Sequence, residues 1–345
     1  MDELFIQRSF DLARLGGAKV SPNPMVGAVI VAENRIIGEG FHKAYGEPHA
    51  EVNAVNSVKQ QDRHLLPQST IYISLEPCCI HGKTPPCTNL ILDQKIPRVV
   101  ISAIDRSPEV NGKSLKILNE AGISVTQDVL PAVGIQLSQP RTTYVCRKRP
   151  YVILKYARSK DGFMAKNNGE QVWISNDFTN RLTHKWRGEI NAIMVGTRTA
   201  LLDNPSLTNR LYYGKNPVRV VLDKDLLLDK KLKIFDHQAK TIVFNEKENL
   251  ELDNIYRVKI AFDQQLIHNL LTVLAQHKIG TLMVEGGATL LDSFYHDNLW
   301  DEARVITSAN YLVNGLKAPM PEKVPSQSFQ LESDEISVYL NDLGC

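Results

Sequence analysis

Residues 75–87, LEPCCIHGKTPPC, hold three of the five cysteines in this chain of 345 residues. Upstream of them, residues 48–55 read PHAEVNAV, with His49 and Glu51 two positions apart at a predicted helix start. One histidine and two cysteines can serve as three zinc ligands, which leaves the fourth tetrahedral position for water. The two fragments together predict a catalytic zinc site whose protein ligands are His49, Cys78 and Cys87.

Glu51 lies beside this predicted metal site and is not needed as a ligand. A bound zinc ion lowers the pKa of water towards neutrality, and the hydroxide then needs a neighbouring acid–base group. The signature of zinc nucleobase deaminases is H-x-E followed by P-C-x-x-C. Here eight residues, not two, separate Cys78 from Cys87. Despite this departure, the pattern predicts a pyrimidine deaminase with Glu51 as its catalytic residue.

Three other interpretations of these cysteines remain open at this stage. A disulfide between adjacent Cys78 and Cys79 demands a strained geometry. A structural zinc site needs a fourth ligand, which Cys79 or His81 would supply, and it would leave Glu51 without a role. In the third interpretation the three ligand candidates are unrelated packing residues.

Two polar residues near these fragments are candidates for substrate binding. Lys83 lies between Cys78 and Cys87, where it can meet a substrate phosphate or ring carbonyl, or remain a solvated surface lysine. Asn23 stands between two prolines in a rigid extended turn. Its amide can bind a pyrimidine edge or cap the next strand.

The composition indicates a folded protein, most consistent with an enzyme that acts on small molecules. Hydrophobic residues make up 43% and charged residues 23%, and the formal net charge is only +2. A dedicated nucleic-acid binder usually has a larger basic excess, and no apolar run approaches the roughly 18 residues of a membrane span. The acidic start of the chain does not resemble a secretory signal. We therefore expect a cytoplasmic protein without nucleic-acid or membrane partners, and a homo-oligomer.

Helical and strand-like segments alternate along the chain and predict an α/β fold with two domains. Residues 131–150 interrupt this alternation with three prolines and a basic run. We place the domain boundary there, with a zinc-dependent pyrimidine deaminase domain at 1–145 and a reductase domain at 146–345. The second domain restarts the alternation, with helical segments near residues 177–188, 262–277 and 288–298.

The second half contains no G-x-G-x-x-G dinucleotide fingerprint, but it has a different glycine turn. The segment TLMVEGGATLLDSFY places Glu285 and Gly287 between a strand and a helix. Paired glycines let backbone N–H groups approach an anion at a helix N-terminus. Arg187 and Arg210 flank a glycine-containing segment, and they either grip a sugar phosphate or are surface arginines.

The motifs PNPMVGAV, G-x-G-F-H, PHAEVNA and LEPC…HGKTPPC resemble the deaminase half of the bifunctional riboflavin-biosynthesis deaminase/reductase family. The resemblance implies a cytidine-deaminase-like α/β/α sandwich that removes the 2-amino group of a diamino-phosphoribosylamino-pyrimidine. It assigns zinc to the three ligands above, proton transfer to Glu51, and substrate contacts to Asn23, His42 and Lys83. The family commonly has histidine two residues after the first cysteine, where this chain has Ile80.

The motifs LKYARSKDGFMA, H-K-W-R, D-N-P-x-L-T-x-R and VEGG-x-T-L resemble the reductase domain of the same family. This implies a dihydrofolate-reductase-like α/β domain that uses NADPH to reduce a ribosyl group to ribityl. From their placement on strand ends, Lys155 or a water molecule held by Asp203 or Glu285 is a candidate proton donor. Gln171 stands where the family commonly has serine. Implied cofactor contacts are Ala157, Trp173, Thr199, Asp203 and Gly287, and implied substrate contacts are Gln171, Arg187, Leu207, Arg210 and Glu285.

Three alternative functions follow from the same sequence. A tRNA or nucleoside deaminase with an appended domain is one, although P-C-x-x-C and a basic face are absent. In another, only the deaminase half is active. A zinc-stabilised scaffold that binds a nucleotide without turnover is the third.

Overall fold

The structure is a computed structural model that describes residues 1–82, 85–166 and 174–341. The chain divides into two compact units, the first Met1–Lys148 and the second beginning at Arg149. Among the described residues, no helix has both the length and the apolar character that crossing a membrane requires. Three predicted site residues lie outside the described residues, namely Lys83, Gln171 and Trp173.

The described part of the first unit contains a five-stranded sheet and five α-helices. Its strands are β1 (Gly27–Ala32), β2 (Arg35–Phe41), β3 (Thr70–Ile73), β4 (Arg98–Ile101) and β5 (Ser124–Thr126). Its helices are α1 (Asp2–Arg14), α2 (Ala50–Ser57), α3 (Cys87–Asp93), α4 (Lys113–Glu120) and α5 (Pro131–Arg147), with 3-10 turns at Gly17–Val20 and Gln60–Gln68. The strand order is β2-β1-β3-β4-β5, antiparallel about β1 and parallel from β3 to β5.

Both faces of this sheet are covered, because its strands are apolar on alternate sides. Ala28 and Ile30 of β1 pack in the cluster formed with α2, α3 and α4. Val29 and Val31 point the other way, into the cluster formed with α1 and α5. The first unit is therefore a three-layer α/β/α sandwich.

Helix α2 lies unusually close to β2, and glycine makes this approach possible. A Cβ atom added to Gly40 would lie 2.3 Å from the backbone nitrogen of Ala54 and 2.6 Å from the carbonyl oxygen of Ala50. Backbone atoms cannot move aside as the end of a flexible side chain can. Gly40 thus fixes the position of α2, whose first turn carries Glu51.

The segment 131–147, which the sequence suggested as a break in the alternation, forms the 17-residue helix α5. Pro131 stands at the start of the helix, where its missing N–H costs no hydrogen bond. Val133 and Leu137 pack against the core, but this apolar stripe is short, and the fully buried residues of α5 are small or polar. Those residues are Gly134, Ser138, Thr142 and Thr143.

The second unit has a ten-stranded sheet, a two-stranded sheet and four α-helices in its described part. Its strands are β6 (Tyr151–Arg158), β7 (Phe163–Ala165), β8 (Ala192–Val195), β9 (Val218–Leu222), β10 (Thr241–Asn245), β11 (Leu250–Leu252), β12 (Ile255–Lys259), β13 (Thr281–Val284), β14 (Glu302–Thr307), β15 (Leu316–Lys317), β16 (Gln327–Leu331) and β17 (Asp334–Leu340). Its helices are α6 (Asp177–Glu189), α7 (Thr197–Asp203), α8 (Leu266–Gln276) and α9 (Ala288–His296), with a 3-10 turn at Lys233–Phe235.

The large sheet has the order β11-β12-β10-β9-β8-β13-β6-β14-β17-β16. The seven strands from β12 to β14 are parallel, and β11, β17 and β16 add antiparallel edges. In open parallel sheets, ligands bind outside the carboxyl ends of the strands. The loops that follow β6, β8 and β13 are therefore the natural place for a binding site.

We predict that Gly40→Ala destabilises the first unit. The added methyl group must displace the α2 backbone, and overpacking of this kind costs about 3 kcal/mol. For a unit of this size, the unfolding midpoint should fall by about 6–12 °C in calorimetry. Gly82→Ala is the matched control, because a Cβ atom there meets no heavy atom within 4 Å. Equal midpoints for the two variants would contradict the prediction.

Candidate active sites

Three ligand atoms predicted from sequence meet at one point in the first unit. His49 caps the N-terminus of α2, Cys87 is the first residue of α3, and Cys78 lies in the loop after β3. The Nδ1 atom of His49 is 3.5 Å from Cys78 Sγ and 3.4 Å from Cys87 Sγ. The three atoms all lie within 4.8 Å of one another.

This arrangement fits a zinc ion. Ligand bonds of about 2.1 Å to nitrogen and about 2.3 Å to sulfur place tetrahedral ligand atoms roughly 3.6 Å apart. The two nitrogen–sulfur distances are close to that value. Among the described residues, no fourth histidine, cysteine or carboxylate joins the cluster. Cys79 and His81 are therefore not positioned to close the site, and Cys78 and Cys79 are free thiols.

The local environment favours the thiolate of Cys78. Hydrogen bonding with Cys87 and His49 outweighs burial and lowers the pKa of Cys78 to about 4. The backbone N–H of Cys87 also donates to Cys78 Sγ at 3.3 Å. The same sulfur pair raises the pKa of Cys87, so this thiol holds the proton that Cys78 has lost. One negative sulfur beside an imidazole suits the binding of a soft divalent cation.

Glu51 lies on the first turn of α2, close to both cysteines. Its side chain is buried, and burial together with the charge of Cys78 raises the pKa of its carboxyl group. It also interacts with the thiol of Cys87. A carboxyl group with a raised pKa accepts a proton more readily than an exposed carboxylate.

His42 and Asn23 form a hydrogen-bonded pair beside the metal site. His42 Nδ1 lies 3.1 Å from the carbonyl oxygen of Pro48, and its Nε2 lies 3.1 Å from Asn23 Nδ2. This pattern is satisfied by a neutral imidazole that donates from Nδ1 and accepts at Nε2. Burial lowers the pKa of His42, in agreement with the neutral form. The His42 and His49 rings meet edge to face, with centroids 5.3 Å apart.

A cavity of about 340 Å³ opens onto these residues. Asn23, His42, His49, Glu51 and Cys78 all contribute to its wall. The volume lies within the range of small-molecule sites in proteins. We name this space the His–Cys cavity.

Glu76 is part of this cavity, although the sequence analysis did not assign it a role. Its buried carboxylate accepts hydrogen bonds from the backbone N–H groups of Asp105, Gly112 and Ser114, at 3.2, 2.9 and 3.1 Å. It therefore fixes the loop between β4 and α4, which forms one wall of the cavity. Its position in the LEPC motif, directly before the metal-site loop, could have indicated this structural role.

A buried ion cluster forms the centre of the second site. Glu285, directly after β13, binds Arg187 of α6 through two hydrogen bonds of 2.9 and 2.8 Å. Lys155 of β6 lies 3.7 Å from the same carboxylate. Burial alone would raise the pKa of Glu285, but Arg187 and Lys155 outweigh it and lower this pKa to about 2. Burial also lowers the pKa of Lys155 despite its acidic partner.

The loop after α7 adds a second arginine to this cluster. Arg210 donates its backbone N–H to His184 Nδ1 at 2.9 Å and its side chain to Thr208 Oγ1 at 2.8 Å. Burial and the charges of both arginines lower the pKa of His184 to about 4, so it is a neutral acceptor. Leu207 is buried with a φ of 52°, a strained conformation of the kind that functional loops retain. His184 is the first residue of the H-K-W-R motif, but the sequence alone assigned it no role.

Two glycine turns meet beside this cluster, after the neighbouring strands β8 and β13. A Cβ atom on Gly286 would lie 2.8 Å from Val195 Cα and 2.9 Å from Gly196 N. A Cβ atom on Gly287 would lie 3.2 Å from Thr199 Oγ1. The N-terminus of α9 thus begins in a bare backbone cradle at the carboxyl edge of the sheet. Such a cradle fits the phosphates of a nicotinamide cofactor.

Two further predicted cofactor residues, Ala157 and Asp203, lie on elements that border this cradle. Ala157 follows Lys155 on the same face of β6 and is partly buried against the core. Asp203 ends α7, and burial raises the pKa of its carboxyl group. The structure thus places Lys155, Arg187, Arg210 and Glu285 in one cluster and Thr199 beside Gly287.

Comparison with known proteins relates each half of the chain to a family. Residues 1–103 match the cytidine and deoxycytidylate deaminase zinc-binding region. Residues 150–343 match the RibD C-terminal domain. The second half is therefore not an unrelated appendage to a nucleoside or tRNA deaminase.

Full-length relatives cover nearly the whole chain. A riboflavin biosynthesis protein RibD from Aquifex aeolicus is 35% identical over 324 residues, covering 92% of this chain and 89% of the relative. The corresponding protein of Bacillus amyloliquefaciens is 36% identical, with 97% and 91% covered.

A solved structure gives the same result. The diaminohydroxyphosphoribosylaminopyrimidine deaminase/5-amino-6-(5-phosphoribosylamino)uracil reductase of Thermotoga maritima is 35% identical, with a TM-score of 0.87 and coverage of 98% of this chain and 97% of that one. These matches confirm a cytidine-deaminase-like domain followed by a dihydrofolate-reductase-like domain. The chain belongs to the RibD family of riboflavin biosynthesis proteins and is a bifunctional enzyme with a zinc deaminase domain and a reductase domain.

Proposed function

We propose that residues 1–145 deaminate 2,5-diamino-6-(5-phosphoribosylamino)pyrimidin-4(3H)-one and that residues 146–345 then reduce 5-amino-6-(5-phosphoribosylamino)uracil with NADPH. The first step releases ammonia by hydrolysis, and the second converts the ribosyl group to a ribityl group. The observation that carries the deaminase assignment is the meeting of a three-ligand metal set and a buried carboxyl group at one cavity. The family relationship supports the substrates.

Zinc is the proposed metal, with His49, Cys78 and Cys87 as its ligands. When bound, zinc supplies the acidity that makes a water molecule nucleophilic near neutral pH. Glu51 takes a proton from the attacking water, because its raised pKa keeps both protonation states accessible. It delivers this proton to the pyrimidine ring nitrogen. It then takes the second proton from the hydroxyl group added to the ring carbon and passes it to the amino group, so that the carbon–nitrogen bond breaks, the ring carbonyl forms and ammonia leaves.

Asn23 and His42 are proposed to orient the pyrimidine. Both line the His–Cys cavity, and their mutual hydrogen bond fixes the direction of the Asn23 amide. Lys83 remains a predicted substrate contact and lies outside the described residues.

The second site is proposed to bind NADPH at the glycine cradle, with contacts from Ala157, Trp173, Thr199, Asp203 and Gly287. NADPH supplies the hydride when it is bound. Arg187 and Arg210 carry the charge that a phosphorylated sugar requires, and Glu285 holds Arg187 in a bidentate ion pair. The proposed substrate contacts of this site are Gln171, Arg187, Leu207, Arg210 and Glu285.

Lys155 is the proposed proton donor of the reduction. Hydride addition to the sugar carbon requires a proton at the atom bonded to that carbon. Lys155 is buried, its pKa is lowered, and Glu285 holds its ammonium group on the last part of β6. An ammonium group with a lowered pKa gives up its proton more readily than an exposed lysine.

Cytoplasmic location and a homo-oligomeric state are further proposals. They rest on the composition and on the family relationship.

Glu51→Gln should lower the kcat/KM of ammonia release by at least about 100-fold, because the amide cannot carry protons between water and substrate. Zinc content, measured by plasma mass spectrometry, should stay at the level of the unsubstituted chain. Glu120→Gln, on the exposed side of α4, controls for the charge change. Ammonia release that survives in Glu51→Gln would exclude Glu51 as the proton carrier and favour the scaffold interpretation.

Two adjacent cysteines allow a matched test of the metal site. Cys78→Ser should lose zinc and ammonia release, because a hydroxyl group is a much weaker zinc ligand than a thiolate. Cys79→Ser removes the neighbouring thiol, which does not belong to the ligand cluster, and should retain both. Zinc stoichiometry and ammonia release are measured on both variants. Equal zinc content in the two proteins would refute the ligand assignment.

Lys155→Met should lower NADPH oxidation by at least about 100-fold, because it removes the proposed proton donor without adding a charge. Ammonia release by the other domain is the internal control and should be unchanged. Lys160→Met removes an exposed lysine from the loop after β6 and should preserve both activities. Full NADPH oxidation in Lys155→Met would exclude this lysine, and none in the unsubstituted chain would mean that only the deaminase half is active.

A further inference from the structure

Arg141 of α5 lines the His–Cys cavity, and none of the roles assigned above involves it. Its Nε atom is buried without a hydrogen-bond partner. In the described part of the chain, its guanidinium group has no ion-pair partner either. Arg141 is half-buried, and its guanidinium group interacts electrostatically with Tyr144. A buried guanidinium N–H without a hydrogen-bond partner at a cavity wall is positioned to donate to a ligand.

The placement of Arg141 follows from how α5 packs on the end of β4. A Cβ atom on Gly134 would lie 2.4 Å from Ser102 Oγ and 3.0 Å from Ala103 Cβ, so the helix backbone touches the carboxyl end of the strand. Ser102 Oγ also donates to the carbonyl oxygen of Leu130 at 3.0 Å. Positions i, i+4 and i+7 share one helix face. Arg141 is therefore on the same face as Gly134 and two turns further along, where the cavity begins.

The charge balance of the cavity shows what Arg141 can bind. The described lining includes five carboxyl groups and one guanidinium group, that of Arg141. Such a lining repels an anion unless a cation is positioned to meet it. The proposed deaminase substrate carries a phosphate, and Arg141 is the guanidinium group that the described wall offers to it. The carboxyl groups belong to Glu47, Glu51, Glu76, Asp105 and Glu109.

We propose that Arg141 binds the phosphomonoester of the deaminase substrate. The proposal rests on the proposed deaminase function and adds a residue that selects phosphorylated over unphosphorylated substrates. A planar guanidinium group can donate two parallel hydrogen bonds to phosphate oxygens. The pyrimidine ring of the substrate would occupy the metal side of the cavity, and its phosphate would lie on the α5 side.

The test compares the phosphorylated substrate with the same compound lacking its phosphate. In the unsubstituted chain, kcat/KM for ammonia release should be higher for the phosphorylated compound. Arg141→Gln should reduce this preference by about 10- to 100-fold, mainly through KM, and should leave the unphosphorylated compound unaffected. Arg141→Lys keeps the charge and should retain part of the preference. Arg106→Gln, which removes an exposed cation near the same loop, is the matched control and should retain all of it.

Zinc content and the unfolding midpoint show that each variant is folded. If Arg141→Gln lowers the activity on both compounds equally, or on neither, Arg141 does not bind the phosphate and the proposal is overturned. If Arg141→Gln is insoluble, Arg141→Lys is compared with Arg106→Gln instead. An unchanged preference for the phosphorylated compound in both variants would also overturn the proposal.

Ribose 5-phosphate separates this proposal from the proposed function. Its binding, measured by calorimetry, should weaken at least 10-fold in Arg141→Gln and not in Arg106→Gln. If the unsubstituted chain binds it in this way but releases no ammonia from the diamino-pyrimidine, the substrate assignment fails and the phosphate site stands. No detectable binding, or equal binding by all three proteins, counts against the phosphate site itself.

Discussion

The first unit depends on bringing one imidazole nitrogen and two sulfur atoms to a single point from three separate segments. His49 stands before α2, Cys78 follows β3, and Cys87 begins α3. Their meeting requires α2 to sit tightly on β2, which the bare backbone of Gly40 permits. The thiolate of Cys78 is then stabilised by the imidazole and by a backbone N–H group before any ion is present. The polypeptide thus forms most of a metal site from its own hydrogen bonds.

The second unit depends on a different constraint, a single buried carboxylate that neutralises several cations. Glu285 contacts Arg187 and Lys155, and Arg210 lies close to the same cluster through Thr208 and His184. Removing one partner of a buried ion pair costs far more than breaking an exposed pair, because it leaves an unpaired charge in the interior. A surplus of positive charge after this neutralisation suits a phosphorylated sugar. Both units place these groups at or beyond the carboxyl ends of parallel strands, where a sheet leaves backbone groups unpaired.

The sequence predicted those parts of the molecule whose signals are local. Helices near residues 177–188, 262–277 and 288–298 are confirmed as α6, α8 and α9. The proposed metal ligands were predicted because their chemical types and spacing are rare outside such sites, and their ligand atoms lie within 4.8 Å of one another.

Other features could not be predicted, since their signals lie in tertiary packing. Helix α5 has only a short apolar stripe, Val133 and Leu137. Its fully buried residues are glycine, serine and threonine, and Gly134 lies against Ser102 and Ala103. The roles of Glu76 and His184 depend on backbone N–H groups that lie far away in sequence. Arg141 reaches the His–Cys cavity only because α5 packs on the end of β4. No pattern within the helix itself indicates a ligand at that position.

The two buried glutamates show how environment gives one residue type opposite roles. Burial raises the pKa of Glu51, and no arginine or lysine is among the groups that counteract it. Burial acts on Glu285 in the same direction, but two neighbouring cations reverse its effect and lower the pKa to about 2. Burial therefore favours the protonated form of Glu51, whereas Glu285 stays charged and holds its partners in place. Glu285 has no proton to give, which is consistent with the proposal that Lys155, whose pKa is lowered, donates the proton in the second site.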